Sequence, residues 1–335
     1  MPCVYPSMHS GAAMRFSRPR WEKKGLIYRP DARVAWMKSH CQLPVADQLD
    51  GSRYRVYFAS RDELQRSHIG CIEIDLHEPV KVLGSTVQPI LSPGPTGHFD
   101  EHGVYPSSIV TVGNKKYLYF IGWNRGCRQP LFYASIGLAV SEDGGRSFER
   151  LFRSPIMARS EHDPCLVTSP NVFIDNDLWR MTYVSGIRWE ESADGGLKSV
   201  YHIKYAESRD GISWTRDGTV AIDFASKDET NIARSSVLKF GGAYRMWYST
   251  ARLPVRPYRI GYAESDDGTR WTRIDEGVGF DVSDEGFDSE MICYPHVIHH
   301  ENKLYMFYNG NGFGREGIGL AVADDSEASV AMTSS

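Results

Sequence analysis

The sequence predicts an all-β protein, a five-bladed β-propeller, and three observations carry that expectation. An apolar strand, a tight turn and a second apolar strand return five times, anchored at Pro44, Pro106, Pro170, Arg234 and Pro295 at intervals of 61 to 64 residues. An aromatic residue follows each anchor by 13 positions: Tyr57, Tyr119, Tyr183, Trp247 and Tyr308. No stretch carries a convincing helical periodicity, whereas 12% aromatics, 31 Gly and 17 Pro suit short strands and many turns. A β unit of this size cannot bury both its own faces, so it stacks on its neighbours, and a propeller is the closed solution.

The elements follow in order within each repeat. The turn pairs Asp50-Gly51, Gly113-Asn114, Asp175-Asn176, Gly241-Gly242 and Glu301-Asn302 separate the first two strands as hairpins. A third strand is read at residues 68–76, 135–141, 202–208, 259–265 and 317–323. Three of these end in a Ser-x-Asp-Gly turn, at Ser141, Ser208 and Ser265, which leads to Phe148, Trp214 or Trp271 at the start of a fourth, outermost strand. The fifth repeat lacks a fourth strand. Trp21 and Gly25 have the spacing of Trp214 and Gly218, so residues 21–30 are expected to complete the last blade and seal the ring. This divides the chain into an N-terminal tail at 1–20, one propeller domain at 21–325 and a C-terminal tail at 326–335.

Bulk properties narrow the function classes. A formal charge of −4 gives no electrostatic case for nucleic acid or an anionic membrane. No apolar run has the length of a signal peptide or a membrane span. Six cysteines without close pairs or metal-ligand spacing read as free thiols in a reducing compartment, so a cytoplasmic protein is expected, with no metal and no cofactor. The oligomeric state is not encoded in any recognisable pattern.

Strand direction places the long loops 123–134, 186–200, 250–258 and 310–316 on the face opposite the hairpin turns. They carry Trp123, Asn124, Arg125, Arg128, Arg188, Trp189, Arg252 and Arg256, a rim suited to polar ligands with apolar ring faces. Five residues before the anchors stand Ser39, Glu101, Cys165, Glu229 and Glu290. Three glutamates at one repeat phase point to a carboxylate cluster at the axis, where mutual repulsion raises at least one pKa. A single loop glutamate reads as solvated surface; three in phase favour chemistry. Glu229 beside Arg234 is the candidate acid, Glu290 the base or nucleophile and Glu101 the orienting group, with other permutations open. Asp163 is a candidate third acid, or a turn former before Pro164.

Arg61 and Asp62 read equally as a surface ion pair or as hydroxyl ligands. His102 and His296 lie near Glu101 and Glu290 and could bind hydroxyls or phosphate. Trp123 and Trp189 read as sugar-stacking or edge-covering side chains. Asn309 to Gly312 reads first as a tight loop.

The repeat architecture, the texture of the segments 203–214 and 260–271, and the strings GHFDEHGVYPSS (97–108) and GFDSEMICYPH (286–296) together resemble the five-bladed β-propeller glycosidase group. That group includes the arabinanase and β-xylosidase families, invertase and levansucrase, and the β-mannoside phosphorylases. The resemblance covers nearly the whole chain. It implies a glycoside hydrolase-like enzyme acting on a carbohydrate or glycoconjugate through funnel carboxylates from different blades. Glycosyl transfer, phosphorolysis with Arg234, Arg61 or His296 on phosphate, and a non-catalytic glycan-binding propeller are the alternatives. The group's first-blade Asp has no counterpart here, where Ser39 and His40 stand. The stretch Ser141 to Phe148 also fits the sialidase Asp-box pattern, but five repeats rather than six argue against a sialidase.

Overall fold

The computed structural model describes residues 15–128, 130–191 and 195–325. Cys3, most of the expected N-terminal tail and the expected C-terminal tail lie outside the described residues. Among the described residues, twenty strands form five antiparallel groups. The first holds β2 (Ser39–Asp50), β3 (Arg53–Arg61), β4 (Ser67–Asp75) and β5 (Val82–Ser85), and the second holds β6 (Gly103–Val112), β7 (Lys115–Arg125), β8 (Phe132–Ser141) and β9 (Glu149–Arg150). The third comprises β10 (Leu166–Asp175), β11 (Leu178–Glu191), β12 (Leu197–Ser208) and β13 (Val220–Ile222). The fourth comprises β14 (Asn231–Phe240), β15 (Ala243–Arg252), β16 (Arg256–Ser265) and β17 (Thr272–Arg273). The fifth joins β18 (Cys293–His300), β19 (Lys303–Asn309) and β20 (Ile318–Asp324) to the N-terminal β1 (Glu22–Tyr28).

The predicted hairpin turns fall between the first and second strands of each group. Each uses a left-handed residue: Gly51, Gly113, Asn176, Gly241 and Glu301. Single parallel bridges, Ser67 to Gly103 and Tyr201 to Asn231, merge groups one with two and three with four into eight-stranded sheets; none of the three sheets closes on itself. β1 pairs antiparallel with β20 from Glu22 opposite Val322 to Tyr28 opposite Ile318, the position its sequence spacing predicts.

Apolar side chains fill the space between neighbouring groups. Val184 and Ile203 of the third group, for example, pack with Ile232 and Met246 of the fourth. Phe58 and Ile72 of the first group pack likewise with Phe307 and Leu320 of the fifth. The inner strands touch in sequence, β2 with β6, β6 with β10, β10 with β14, β14 with β18, and β18 with β2. Among the described residues no helix is long and apolar enough to cross a membrane.

Two expectations need correction. The outermost strand does not always begin at its aromatic: β9 and β17, two residues each, follow Phe148 and Trp271 directly, but after Trp214 only an isolated Thr215 to Glu207 bridge forms before β13. The Ser-x-Asp-Gly turns hold the backbone out of the sheet. In the longest of them, Asp143 Oδ1 accepts from the Arg146 and Ser147 amides at 2.9 and 3.0 Å. The anchors are also not all in phase. Ser108 faces Tyr119 and Ser236 faces Trp247, whereas Asn171 faces Thr182 and His296 faces Phe307, so Ser107 and Ser235 are the true counterparts of Pro170 and Pro295. A bulge at this point of the inner strands hides the one-residue offset, with Leu43, Ser169, Arg234 and Tyr294 in left-handed backbone.

Candidate functional site

The segments leading into four of the inner strands each bury one carboxylate, and each carboxylate has a cation from the outer edge of its own group. Asp100 accepts from Arg150 Nε at 2.7 Å, and Asp163 from Arg216 Nη1 at 2.7 Å. Arg273 donates to both oxygens of Glu229, at 2.7 and 2.9 Å, and Lys23 donates to Asp288 at 2.7 Å. Every one of these cations stands two residues after an outer aromatic: Phe148, Trp214, Trp271 and Trp21. A buried carboxylate needs such a partner, and the pairing ties each lead-in segment to the edge of its sheet.

This repeating device decides two of the expected catalytic residues. Glu229 is 4% exposed and also accepts from Thr250 Oγ1 at 2.7 Å and the Ala225 amide at 2.6 Å. Burial alone raises its pKa, but Arg273 and these donors outweigh burial and hold it below the usual glutamate range. That is the opposite of the raised pKa expected from clustered acids, and it does not suit a proton donor. Asp163 is fully buried and additionally bound by Tyr183 Oη and Ser160 Oγ, so it too serves as a brace. Nor do the three glutamates share one phase. His102 and Thr230 donate their amides to the Trp123 and Ala251 carbonyls at matching points, so Glu101 and Glu229 precede the place of Glu290 by one residue.

Glu101 is different in kind. Its carboxylate, about a quarter exposed at 23%, accepts from the Gly97 amide at 2.7 Å and Asn124 Nδ2 at 2.9 Å, with His102 Nδ1 at 3.4 Å. Those bonds keep its pKa below the usual range. The His102 ring lies 5.8 Å from that of Trp123, whose Nε1 donates to Ser67 Oγ at 3.0 Å. The fold therefore gathers Glu101, His102, Trp123 and Asn124, as the sequence suggests. Glu290 has an exposed side chain; Asn311 Oδ1 accepts from its amide and Arg259 donates to its carbonyl.

The first group provides a cleft lined by Lys38, Ser39, His40, Glu63, Gln65, Gly312 and Arg315. His40 is left-handed with φ 67°, its Nδ1 lies 2.8 Å from Ser39 Oγ, and burial together with Arg61 and Arg315 pushes its pKa down to about 4. Arg61 and Asp62 do not act as a pair: Arg61 Nε binds Gln42, and Asp62 binds Arg66 and His68 in a neighbouring recess. Arg315, Lys38 and the rings of Tyr294 and Phe313, stacked at 6.3 Å beside Tyr258, were not singled out by sequence.

Other expected ligands sit elsewhere. Arg234 is 1% exposed, and its guanidinium donates to the Pro106 and Pro44 carbonyls at 3.3 and 3.0 Å, so it braces the inner strands and is not free for phosphate. His296 contacts the Ala46 carbonyl at 3.2 Å, and burial beside Arg234 lowers its pKa to about 3; it is a neutral structural group. Trp189 packs edge-on against Phe132 at 5.5 Å, and Arg188 pairs with Glu190 at the surface. Arg252 is exposed at the end of β15. Asn309 is buried and bridges Leu43, Cys41 and Gly317, as a tight structural loop requires.

No protein-family model matches the chain. Two curated proteins of Mycobacterium tuberculosis do: the uncharacterized proteins MT1551 (strain CDC 1551) and Rv1502 (strain H37Rv), each 39% identical over 305 residues, 91% of this chain and 99% of theirs. The chain belongs to their family. Solved structures share its fold at lower identity. A BT0996 RGII complex superposes with a TM-score of 0.69 at 19% identity, over 92% of this protein and 92% of that one. A structure from work on the GH130 family of mannoside phosphorylases, described as containing hydrolases that target β-1,2 mannosidic linkages in Candida mannan, gives 0.67 at 15% over 95% of both. A thermostable family-43 glycoside hydrolase gives 0.59 at 17%, over 84% of this chain and 88% of that one. The chain thus has the fold of the β-propeller glycosidase group that its sequence resembles.

Proposed function

We propose that the chain is a glycoside-cleaving enzyme on a five-bladed propeller, one domain over residues 21–325 flanked by tails, with β1 completing the last blade. The cyclic contacts of the inner strands and the packing of the fifth group on the first support this ring. The carrying observation for the site is the sorting of its acids. Asp100, Asp163, Glu229 and Asp288 are engaged in buried ion pairs, which leaves Glu101 as the lead-in carboxylate that is both held in place and reachable. Glu101, kept ionised by its donors, is the base or nucleophile in this reading, and Glu290 the second carboxylate. His102, Trp123 and Asn124 hold the sugar. Five unpaired cysteines among the described residues support a reducing, cytoplasmic setting.

The test is a screen of aryl glycosides and oligosaccharides with and without phosphate, which separates hydrolysis from phosphorolysis, followed by Glu101→Gln and Glu290→Gln. Loss of an acid/base group lowers turnover by about 10²–10⁴. Full turnover in both variants, or no cleavage of any glycan by the parent protein, overturns the reading in favour of a binding propeller.

A further inference from the structure

The first group departs from the other four. Among the described residues, its lead-in segment carries no buried carboxylate paired with an outer strand; at the mouth stand Ser39 and His40, with Lys38, Arg61 and Arg315 around them. Opposing charge is sparse. Glu63 lies 3.5 Å from Lys38 with a side chain 79% exposed, while among the described residues Arg315 has no ion pair and Arg61 uses only its Nε, on Gln42. Arg256 likewise has a buried Nε without a hydrogen-bond partner, and burial, Arg252 and Arg259 disfavour its charge while Glu229 and Asp275 favour it. The whole chain carries a net −4, so these cations are concentrated here against the general balance. Uncompensated guanidinium groups that crowd one another are the usual setting for an oxyanion, because each presents a planar fork of donors to two oxygens.

We propose that the cleft lined by Lys38, Ser39 and Arg315, with Arg61 beside it, is an oxyanion subsite, and that the glycan acted on is acidic, placing a phosphate or carboxylate group there. The proposal rests on the glycan-cleaving reading of the mouth and names its substrate class. Arg61 and Arg315 donate to the anion from the second strand of the first group and from the loop after β19, and the Ser39 hydroxyl, held by His40, adds a neutral donor. His40 itself adds no charge at neutral pH. A neutral sugar would leave these cations without a partner.

The test is binding by calorimetry to the full-length protein, using inorganic phosphate, glucose 6-phosphate, glucuronic acid and, as the neutral control, glucose. The expected result is binding of the anionic sugars over glucose, weakened about tenfold or more by Arg315→Gln and by Arg61→Gln, the loss of one charge-assisted hydrogen bond each. Arg315 is exposed and makes no ion pair, so its variant folds even if the Arg61 variant does not. Anionic sugars binding where inorganic phosphate does not places the anion on the glycan. Phosphate binding as tightly as the sugar phosphates assigns the subsite to free phosphate and overturns the acidic-glycan claim. No preference for anions, or binding indifferent to both substitutions, overturns the subsite altogether. Glu101→Gln keeps anion binding while losing turnover, so failure of the catalytic assignment and failure of the subsite are read separately.

Discussion

Glu229→Gln separates a structural acid from a catalytic one. The substitution keeps the shape of the side chain but removes the charge that faces Arg273 at 2.7 and 2.9 Å. Leaving one member of a buried pair alone costs about 3–5 kcal/mol. Arg273 retains Asp275 at 2.6 Å, so the expected cost falls to about 2–3 kcal/mol within that range of mechanisms. With an unfolding entropy of about 2.1 cal/mol/K per residue, a fold of roughly 300 residues loses about 3–5 °C in Tm. The pH dependence has a definite sign. The folded pKa of Glu229 is depressed, so its contribution is complete above the ordinary glutamate value of 4.5 and is lost as pH falls through the folded pKa. Thermal scans of both proteins from pH 7 downward should show a gap in Tm that narrows in acid. An unchanged Tm at pH 7 combined with a 10²-fold or greater fall in turnover would refute the argument and restore Glu229 as a catalytic group.

Three further outcomes are expected. Deleting residues 15–28 removes β1, the Trp21 contact with Trp247 and the Lys23 to Asp288 pair, and should abolish a cooperative melting transition in differential scanning calorimetry. His40 and His296 have folded pKa values of about 4 and about 3 against 6.5, so the unfolded chain binds more protons below pH 6.5 and stability declines as pH falls from there; His296→Gln should flatten that decline in Tm measured from pH 7 to 4. Arg234→Met leaves the Pro44 and Pro106 carbonyls without their donor and should cost about 1–3 kcal/mol in a denaturant melt, with the m-value unchanged.

The repeat, its turns and the pairing partner of β1 were legible in the sequence because they depend on local signals: alternating apolar residues, Gly and Asn at left-handed positions, and an aromatic at fixed spacing. The roles of the acids were not. Asp163 and Glu229 look like catalytic candidates until their partners are known, and those partners, Arg216 and Arg273, stand 53 and 44 residues further along. A signal existed, since Arg150, Arg216, Arg273 and Lys23 all follow an outer aromatic by two residues, but it becomes visible only when outer strands are aligned with one another. The inner-strand bulges misled in a second way. A one-residue shift in the second and fourth repeats made Glu101, Glu229 and Glu290 appear equivalent, when hydrogen bonding puts His102 and Thr230 in that place. That Glu101 lies beside Asn124 was readable, because Asn124 stands at the end of the adjoining strand of the same hairpin.

The antiparallel contact between β1 and β20 also constrains how the molecule is made. Glu22 meets Val322, so the strand at 22–28 has no partner until the distant segment at 318–324 has been made. Four strand groups can fold as they emerge, but the fifth cannot form until β20 has been made, with Trp21 and Ile27 of the waiting segment exposed in the interval. Such a long-range final step makes closure slow compared with hairpin formation. In the cell, the unpaired β1 segment with Trp21 and Ile27 is then the surface a chaperone would guard, and a nascent chain stalled before residue 318 should be the aggregation-prone species.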